Sequence, residues 1–361
     1  MRIALVCPYS LSSPGGVQTQ VLALARALRA LGHPTRLLGP CDGAPPDVGI
    51  TPLGRSVPLA ANGSMAPIAP DPACALRTIR ALRDEQFDIV HLHEPLVPGP
   101  TVTALLFDAA PMVGTFHAAG GSAAYRWLRP GTRWAARRLS MRCAVSEDAR
   151  CMAHRALGGD YVLVHNGIDV ERFSKATPWP SDRPTIFFVG RHELRKGLSV
   201  LLAAMARLPP EVRLWVGGDG PETGILRERT RGDDRIEWLG AIDDDEKARR
   251  LRGADVFCAP SLYGESFGVV LLEAMAAHVP IVATDLPGYS NVARGGTDAV
   301  LVRHDDPDAL SDALRSVLTD SRLAESLAVA GDIRAAEFAM DRLAERYVEL
   351  YSQVTGRDPG P

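Results

Sequence analysis

The sequence predicts an α/β protein built from two doubly wound parallel sheets, one in each half of the chain. Three observations predict it. Short apolar runs of strand type alternate with helical segments along nearly the whole length. Several of these runs pass directly into a glycine-bearing or cation-bearing turn that opens the next helix. The chain also has 361 residues, 46% of them hydrophobic, which suffices for two cores.

In chain order, residues 2–7 form the first strand and lead into Pro14-Gly15-Gly16-Val17-Gln18. Val21, Leu22, Leu24, Ala25, Leu28 and Leu31 then recur at helical spacing, closed by Gly32-His33. The turn lacks the Lys-Ser/Thr of a P-loop and the three-glycine dinucleotide spacing, so it reads either as a close approach of backbone to ligand or as a tight turn only. Further strands are read at Arg36–Leu38, Phe87–His93, Pro111–Phe116, Arg142–Val145 and Tyr161–His165. Doubly wound domains bind ligands beyond the carboxyl ends of their strands. His93, Glu94, His117, Ser146 and Asn166 fall at such ends, and one or two of them are expected to be functional.

Asp169–Pro184, with Thr177-Pro-Trp-Pro, reads as a linker. The expected domains are therefore 1–170 and 171–340, with residues 341–361 as a helix returning to the first domain and a tail. The second half opens on the strand Thr185–Gly190, followed by Arg191, Arg195, Lys196 and Gly197. Cations just past a strand suit a diphosphate, or form a solvated basic turn. Asp243, Asp244 and Asp245 read as metal ligands or as acids at a helix start, where they complement the dipole.

Net charge is −3, yet residues 1–170 hold 16 Arg against 12 acids. Only Lys175, Lys196 and Lys247 stand against 37 Arg, so three lysines have resisted a bias toward arginine. Arg77, Arg80 and Arg83 lie at helical spacing, and Tyr125–Arg142 carries six Arg, two Trp and no acid. Such stretches suit an anionic membrane surface or a solvated face, and an acidic chain is a poor nucleic-acid binder. The six cysteines show no metal spacing, and the N-terminal apolar run is too short for a signal peptide, so the expected place is the cytoplasm, with peripheral contact to the inner membrane face.

The segment Glu265-Ser-Phe-Gly-Val-Val-Leu-Leu-Glu273 is where the chemistry concentrates. A helix opening at Ser266 or Phe267 would leave the amides of Phe267, Gly268 and Val269 as donors for an anion. Two carboxylates flanking that anion site suggest a sugar nucleotide; the competing reading is a surface glutamate and a helix glutamate paired with an arginine.

These residues resemble the retaining glycosyltransferases of family 4, and the resemblance covers nearly the whole chain. It rests on Glu265 with Glu273 as a Glu-x7-Glu motif, on Arg191 with Lys196-Gly197, on Gly217-Gly-Asp-Gly-Pro221 and on Gly15-Gly16. Cys7-Pro-Tyr-Ser, Asn62-Gly-Ser64, His91-Leu-His-Glu-Pro95 and Thr115-Phe-His117 are similar to the actinobacterial branch that mannosylates phosphatidylinositol. The resemblance implies the GT-B fold, two facing Rossmann-like domains with an interdomain cleft, and metal-free transfer with no cofactor beyond a nucleotide-sugar co-substrate, GDP-mannose. It implies that Arg191 and Lys196 hold the diphosphate, helped by Gly16, Phe267, Gly268 and Val269. Glu265 would bind mannose hydroxyls, Glu273 the ribose, and Ile242, Asp244 and Lys247 would border the base. Tyr9, Gln18, Asn62 and His117 match positions that meet the inositol phosphate or the reacting hydroxyl.

Two departures bear on the acceptor. Met65-Ala-Pro follows Asn62-Gly-Ser where the family has a basic residue, and Ala118-Ala-Gly-Gly-Ser follows His117 where it has a Thr/Lys loop. A soluble or natural-product acceptor with another nucleotide sugar is therefore the alternative, ahead of a sugar-nucleotide epimerase or a non-catalytic binding protein.

Overall fold

The computed structural model describes residues 1–13, 15–61, 64–117, 129–265 and 267–357. The chain divides into two compact units, Met1–Gly167 with Met340–Pro361, and Ile168–Ala339. The stretch 169–184, expected as a linker, belongs to the second unit. Asp169 caps a short helix, Val170–Ser174, through the amide of Arg172, and Phe173 is buried. Trp179 lies under the guanidinium groups of Arg249 and Arg250 at 4.6 and 4.0 Å. Two aromatic anchors thus bind to one domain a segment whose prolines suggested a free connection.

The first unit contains β1 (Ile3–Val6), β2 (Thr35–Gly39), β3 (Ile50–Pro52), an antiparallel hairpin of β4 (Val57–Ala61) and β5 (Ser64–Ile68), then β6 (Ile89–His93), β7 (Met112–Phe116), β8 (Met141–Ala144) and β9 (Val162–Leu163). Its seven-stranded parallel sheet has the order β3-β2-β1-β6-β7-β8-β9. Both faces are covered, because Ala4 and Val6 join one core cluster and Ile3 and Leu5 the other. That is why β1 is buried throughout and reads as a continuous apolar run. β6 is equally buried, although it carries His91 and His93.

The second unit contains β10 (Thr185–Val189), β11 (Arg213–Gly217), β12 (Ile236–Gly240), β13 (Val256–Ala259), β14 (Ile281–Thr284) and β15 (Val300–Val302), in the parallel order β12-β11-β10-β13-β14-β15. In each sheet the order reverses once, between β1 and β6 and between β10 and β13, and the crevice at such a reversal is where doubly wound sheets take ligands. The final helix, Met340–Thr355, packs in the first unit, where Tyr347 and Tyr351 are buried in the cluster around Ile3 and Leu5. No described helix is long and apolar enough to cross a membrane.

Candidate active site

At the reversal of the second sheet, the loops after β10 and β13 are locked together. Gly197 has φ +65°, and a Cβ there would fall 1.9 Å from the carbonyl oxygen of Pro260, so the two loops meet only because the residue is glycine. The amide of Leu262 donates to the Arg195 carbonyl at 2.7 Å across the same contact. This packing brings Lys196 Nζ within 2.7 Å of Glu265 Oε1, with Arg195 at 3.5 Å. Glu193 in turn accepts from Arg191 and Arg195 at 3.1 and 2.9 Å, so Arg191, Glu193, Arg195, Glu265 and Lys196 form one alternating chain of charge.

Glu265 is also held from below. The Ser261 hydroxyl donates to Oε1 at 2.9 Å, which uses its only proton, so the bond of 2.9 Å between Ser261 Oγ and the Tyr289 hydroxyl has Tyr289 as donor. Tyr289 is 1% exposed and its ring also sits 2.8 Å from where a Cβ on Gly268 would be. One side chain therefore braces both the carboxylate and the turn that follows it.

The helix after that turn runs Val269–Ala276, not from Ser266 or Phe267. Gly268 at φ +88° is its N-cap, a left-handed conformation that stops helical geometry from extending backward. Phe267 is buried against Phe338 before the helix, Ser266 lies outside the described residues, and the Leu271 amide bonds back to the Gly268 carbonyl at 2.9 Å. The first-turn donors left for an anion are those of Val269 and Val270.

One turn in, Glu273 is buried and accepts from Lys247 Nζ at 2.8 Å. Lys247 also reaches Asp244 at 3.3 Å and stands 5.7 Å over the ring of Phe173. Burial pulls the Lys247 pKa down, but Glu273 and Asp244 outweigh it and the net shift is upward. Ile242 closes the group: its Cδ1 lies 3.0 Å from the Cβ position of Gly217 at the end of β11. Asp243 caps the helix Asp244–Gly253 by accepting from the Glu246 amide at 2.8 Å, and no metal-binding cluster occurs among the described residues.

In the first unit Tyr9, Gly16, Gln18, Glu94 and His117 follow the carboxyl ends of β1, β6 and β7, the strands at and beside the sheet reversal. Gly16 opens the helix Gly16–Ala30 with open space beside its Cα. Gln18 folds back onto the Ser10 carbonyl at 3.4 Å. Burial raises the Tyr9 pKa, and the nearby Glu94 charge raises it further. Glu94, at φ +51°, accepts from the His117 amide at 2.7 Å. The His117 ring lies 3.0 Å from His93 through Nε2 and Nδ1. Asn62 lies outside the described residues, and so do residues 125–128 of the aromatic and basic stretch.

Residues 14–172 match the family described as Glycosyltransferase Family 4, and residues 169–333 match Glycosyl transferases group 1. The chain is 39% identical to the phosphatidyl-myo-inositol mannosyltransferase of Mycobacterium leprae, over 98% of this chain and 97% of that protein. This is a family 4 glycosyltransferase. The protein of the same name from Mycobacterium tuberculosis is 38% identical over 99% of this chain and 98% of its own length. In fold, the glycosyltransferase resembles Anabaena HepE in complex with UDP, with TM-score 0.77, 19% identity and coverage of 98% of this chain and 100% of that one. It also resembles sucrose-phosphate synthase from Thermosynechococcus elongatus, with TM-score 0.76, 21% identity and coverage of 98% and 99%. The fold is GT-B, two Rossmann-like parallel sheets.

Among the residues singled out from sequence, the glycosyltransferase brings Lys196 to Glu265, and Lys247 to both Glu273 and Asp244, within hydrogen-bonding or ion-pair distance. Arg191 joins them through Glu193 and Arg195. Sequence reasoning missed Ser261 and Tyr289. Ser261, four residues before Glu265 and beside a proline, was the available signal; Tyr289 had none. The basic stripe is partly committed to its own chain: Arg77 donates to the Leu53 carbonyl at 2.7 Å, and Arg80 and Arg83 share Asp84 at 3.4 and 2.9 Å.

Proposed function

We propose that this glycosyltransferase moves mannose from GDP-mannose to an inositol hydroxyl of phosphatidylinositol, with retention and without a metal. The observation that carries the donor half is the Lys196–Glu265 pair at 2.7 Å at the sheet reversal, beside a helix N-terminus. A diphosphate takes the Lys196 ammonium, the Arg191 guanidinium and the first-turn amides, and Glu265, released from Lys196, accepts from sugar hydroxyls. Glu273, oriented by Lys247, accepts from the ribose. The acceptor oxygen bonds to the anomeric carbon from the side on which the bond to the diphosphate breaks, and its proton passes to a donor phosphate oxygen. Catalysis is then positioning plus stabilisation of the departing diphosphate. The identity of 39% and 38%, over nearly the full length, to mycobacterial proteins called phosphatidyl-myo-inositol mannosyltransferase supports the mannosyl donor and the lipid acceptor.

A soluble acceptor is the second reading, favoured by Met65, which is 53% exposed on the hairpin where a basic residue is expected. The deciding experiment is a thermal-shift screen of GDP-, UDP- and ADP-sugars, followed by transfer to phosphatidylinositol against soluble inositols, with the product anomer read by NMR. Selective stabilisation by GDP-mannose with an α-linked lipid product is expected. Turnover of a UDP-sugar alone, or of a soluble acceptor alone, overturns the corresponding half.

A further inference from the structure

Three imidazoles line up through β6 and past the end of β7. The ring centroids of His91 and His93 are 4.2 Å apart and those of His93 and His117 are 5.3 Å apart. His91 is saturated, with Nδ1 2.6 Å from the Tyr351 hydroxyl and Nε2 2.7 Å from Thr115 Oγ1, which in turn lies 3.0 Å from the Tyr347 hydroxyl. His93 is not. Its Nδ1 lies 3.0 Å from His117 Nε2, while its Nε2 is buried without a hydrogen-bond partner among the described residues.

A neutral imidazole has one donor and one acceptor nitrogen, and the 3.0 Å contact needs one proton between its two nitrogens. If His117 Nε2 were the donor, the only proton of His93 would sit on its Nε2, an N–H buried with nothing to receive it. If His93 Nδ1 is the donor, the orphan is a lone pair. Unpaired buried N–H groups are the rarer of the two orphans, so the second arrangement is favoured. Both rings are neutral near pH 7: burial, reinforced by His91 and His117, holds His93 well below its ordinary value, and burial brings His117 to about 4.

We infer that His93 is a positioning residue that fixes the tautomer of His117, donating from Nδ1 to His117 Nε2 so that His117 presents Nδ1–H to a substrate oxygen. The inference rests on the reading of His117 as a substrate contact. It gives that contact a direction: His117 donates a hydrogen bond and does not take the acceptor proton, which leaves the donor phosphate as the base. The helix Met340–Thr355 reaches the same row through Tyr347, Tyr351 and His91.

Selective 15N labelling of the histidines, with His117 assigned by its loss in H117N, reads the tautomer in the free, full-length enzyme at neutral pH. A protonated-type Nδ1 and unprotonated-type Nε2 on His117 are expected; the reverse pattern overturns the inference. H93N keeps an amide donor near the place of Nδ1 and should retain that pattern and a kcat within about threefold. H93D offers only an acceptor there and should move the His117 proton to Nε2, with kcat down about tenfold or more. It should leave donor KM within about twofold and the melting transition cooperative. An H93D enzyme whose His117 keeps its tautomer, or which keeps wild-type kcat with the proton moved, overturns the inference. Should H117A turn over like wild type, the substrate-contact reading fails while the tautomer result stands by itself.

Discussion

Lys247 and Glu273 offer the most quantitative test of how the proposed donor site is built. Their side chains are 16% and 10% exposed, and Nζ lies 2.8 Å from Oε1. Lys247→Met keeps the aliphatic volume and leaves a carboxylate unpaired in a nearly dry place. Breaking such a pair from one side costs about 3–5 kcal/mol, and the residual exposure argues for the lower end, ~3 kcal/mol. For a unit of about 170 residues, each kcal/mol moves the midpoint by about 2–4 °C, so the unit containing Lys247 should melt ~6–12 °C earlier. The double variant Lys247→Met/Glu273→Met removes both charges and should recover most of that loss. The sign with pH follows from the raised Lys247 pKa: the pairing stabilises fully below the ordinary value of 10.5 and is lost as pH rises through the higher folded value. Calorimetry of wild type, both single variants and the double variant between pH 7 and 10 should show a constant gap, closing only above about 10.5. Single variants that melt within 1 °C of wild type, or additive losses in the double variant, would falsify the claim that the pair acts as a unit.

Three further outcomes are expected. Lys196→Ala and Glu265→Ala should each lower kcat/KM by about 100-fold to 1,000-fold or more, with cooperative melting retained; wild-type turnover in either variant removes that residue from the reaction. Asp243→Ala removes the side chain that accepts from the Glu246 amide and should cost about 1 kcal/mol in urea unfolding, while added or chelated divalent cations leave the melting of wild type and variant unchanged. Co-sedimentation with vesicles should show binding that rises with anionic lipid and falls with salt, and Arg80→Glu/Arg83→Glu should weaken it; equal sedimentation with neutral vesicles counts against a charged contact.

The parallel sheets were legible because their strands are buried on both faces and so appear as unbroken apolar runs, β1 and β10 most clearly. The charged cluster of the second unit was legible because lysine is so scarce in this chain that Lys196 and Lys247 stood out before any contact was known. Other features depended on backbone angles that residue type leaves open. The helix start moved to Val269 because Gly268 adopts φ +88°, at a position where Tyr289 also leaves no room for a side chain. The linker dissolved into the second unit because Phe173 and Trp179 found partners distant in sequence. The spacing of Tyr347 and Tyr351 marks one face of a helix, but only the register of β6 and β7 reveals that their hydroxyls meet His91 and Thr115.

The route of the chain sets an order of assembly. The first unit begins at Met1 but includes Met340–Thr355, so a chain emerging from the ribosome has made all of β1–β9 before it makes the helix that covers Ile3 and Leu5. The second unit, continuous from Ile168 to Ala339, is completed earlier. Until the last helix arrives, an apolar sheet face and the hydroxyl partners of His91 and Thr115 are missing, so a C-terminally shortened chain should carry a finished second unit and an unfinished first unit. The nascent protein would then present to chaperones its N-terminal half rather than its C-terminal one.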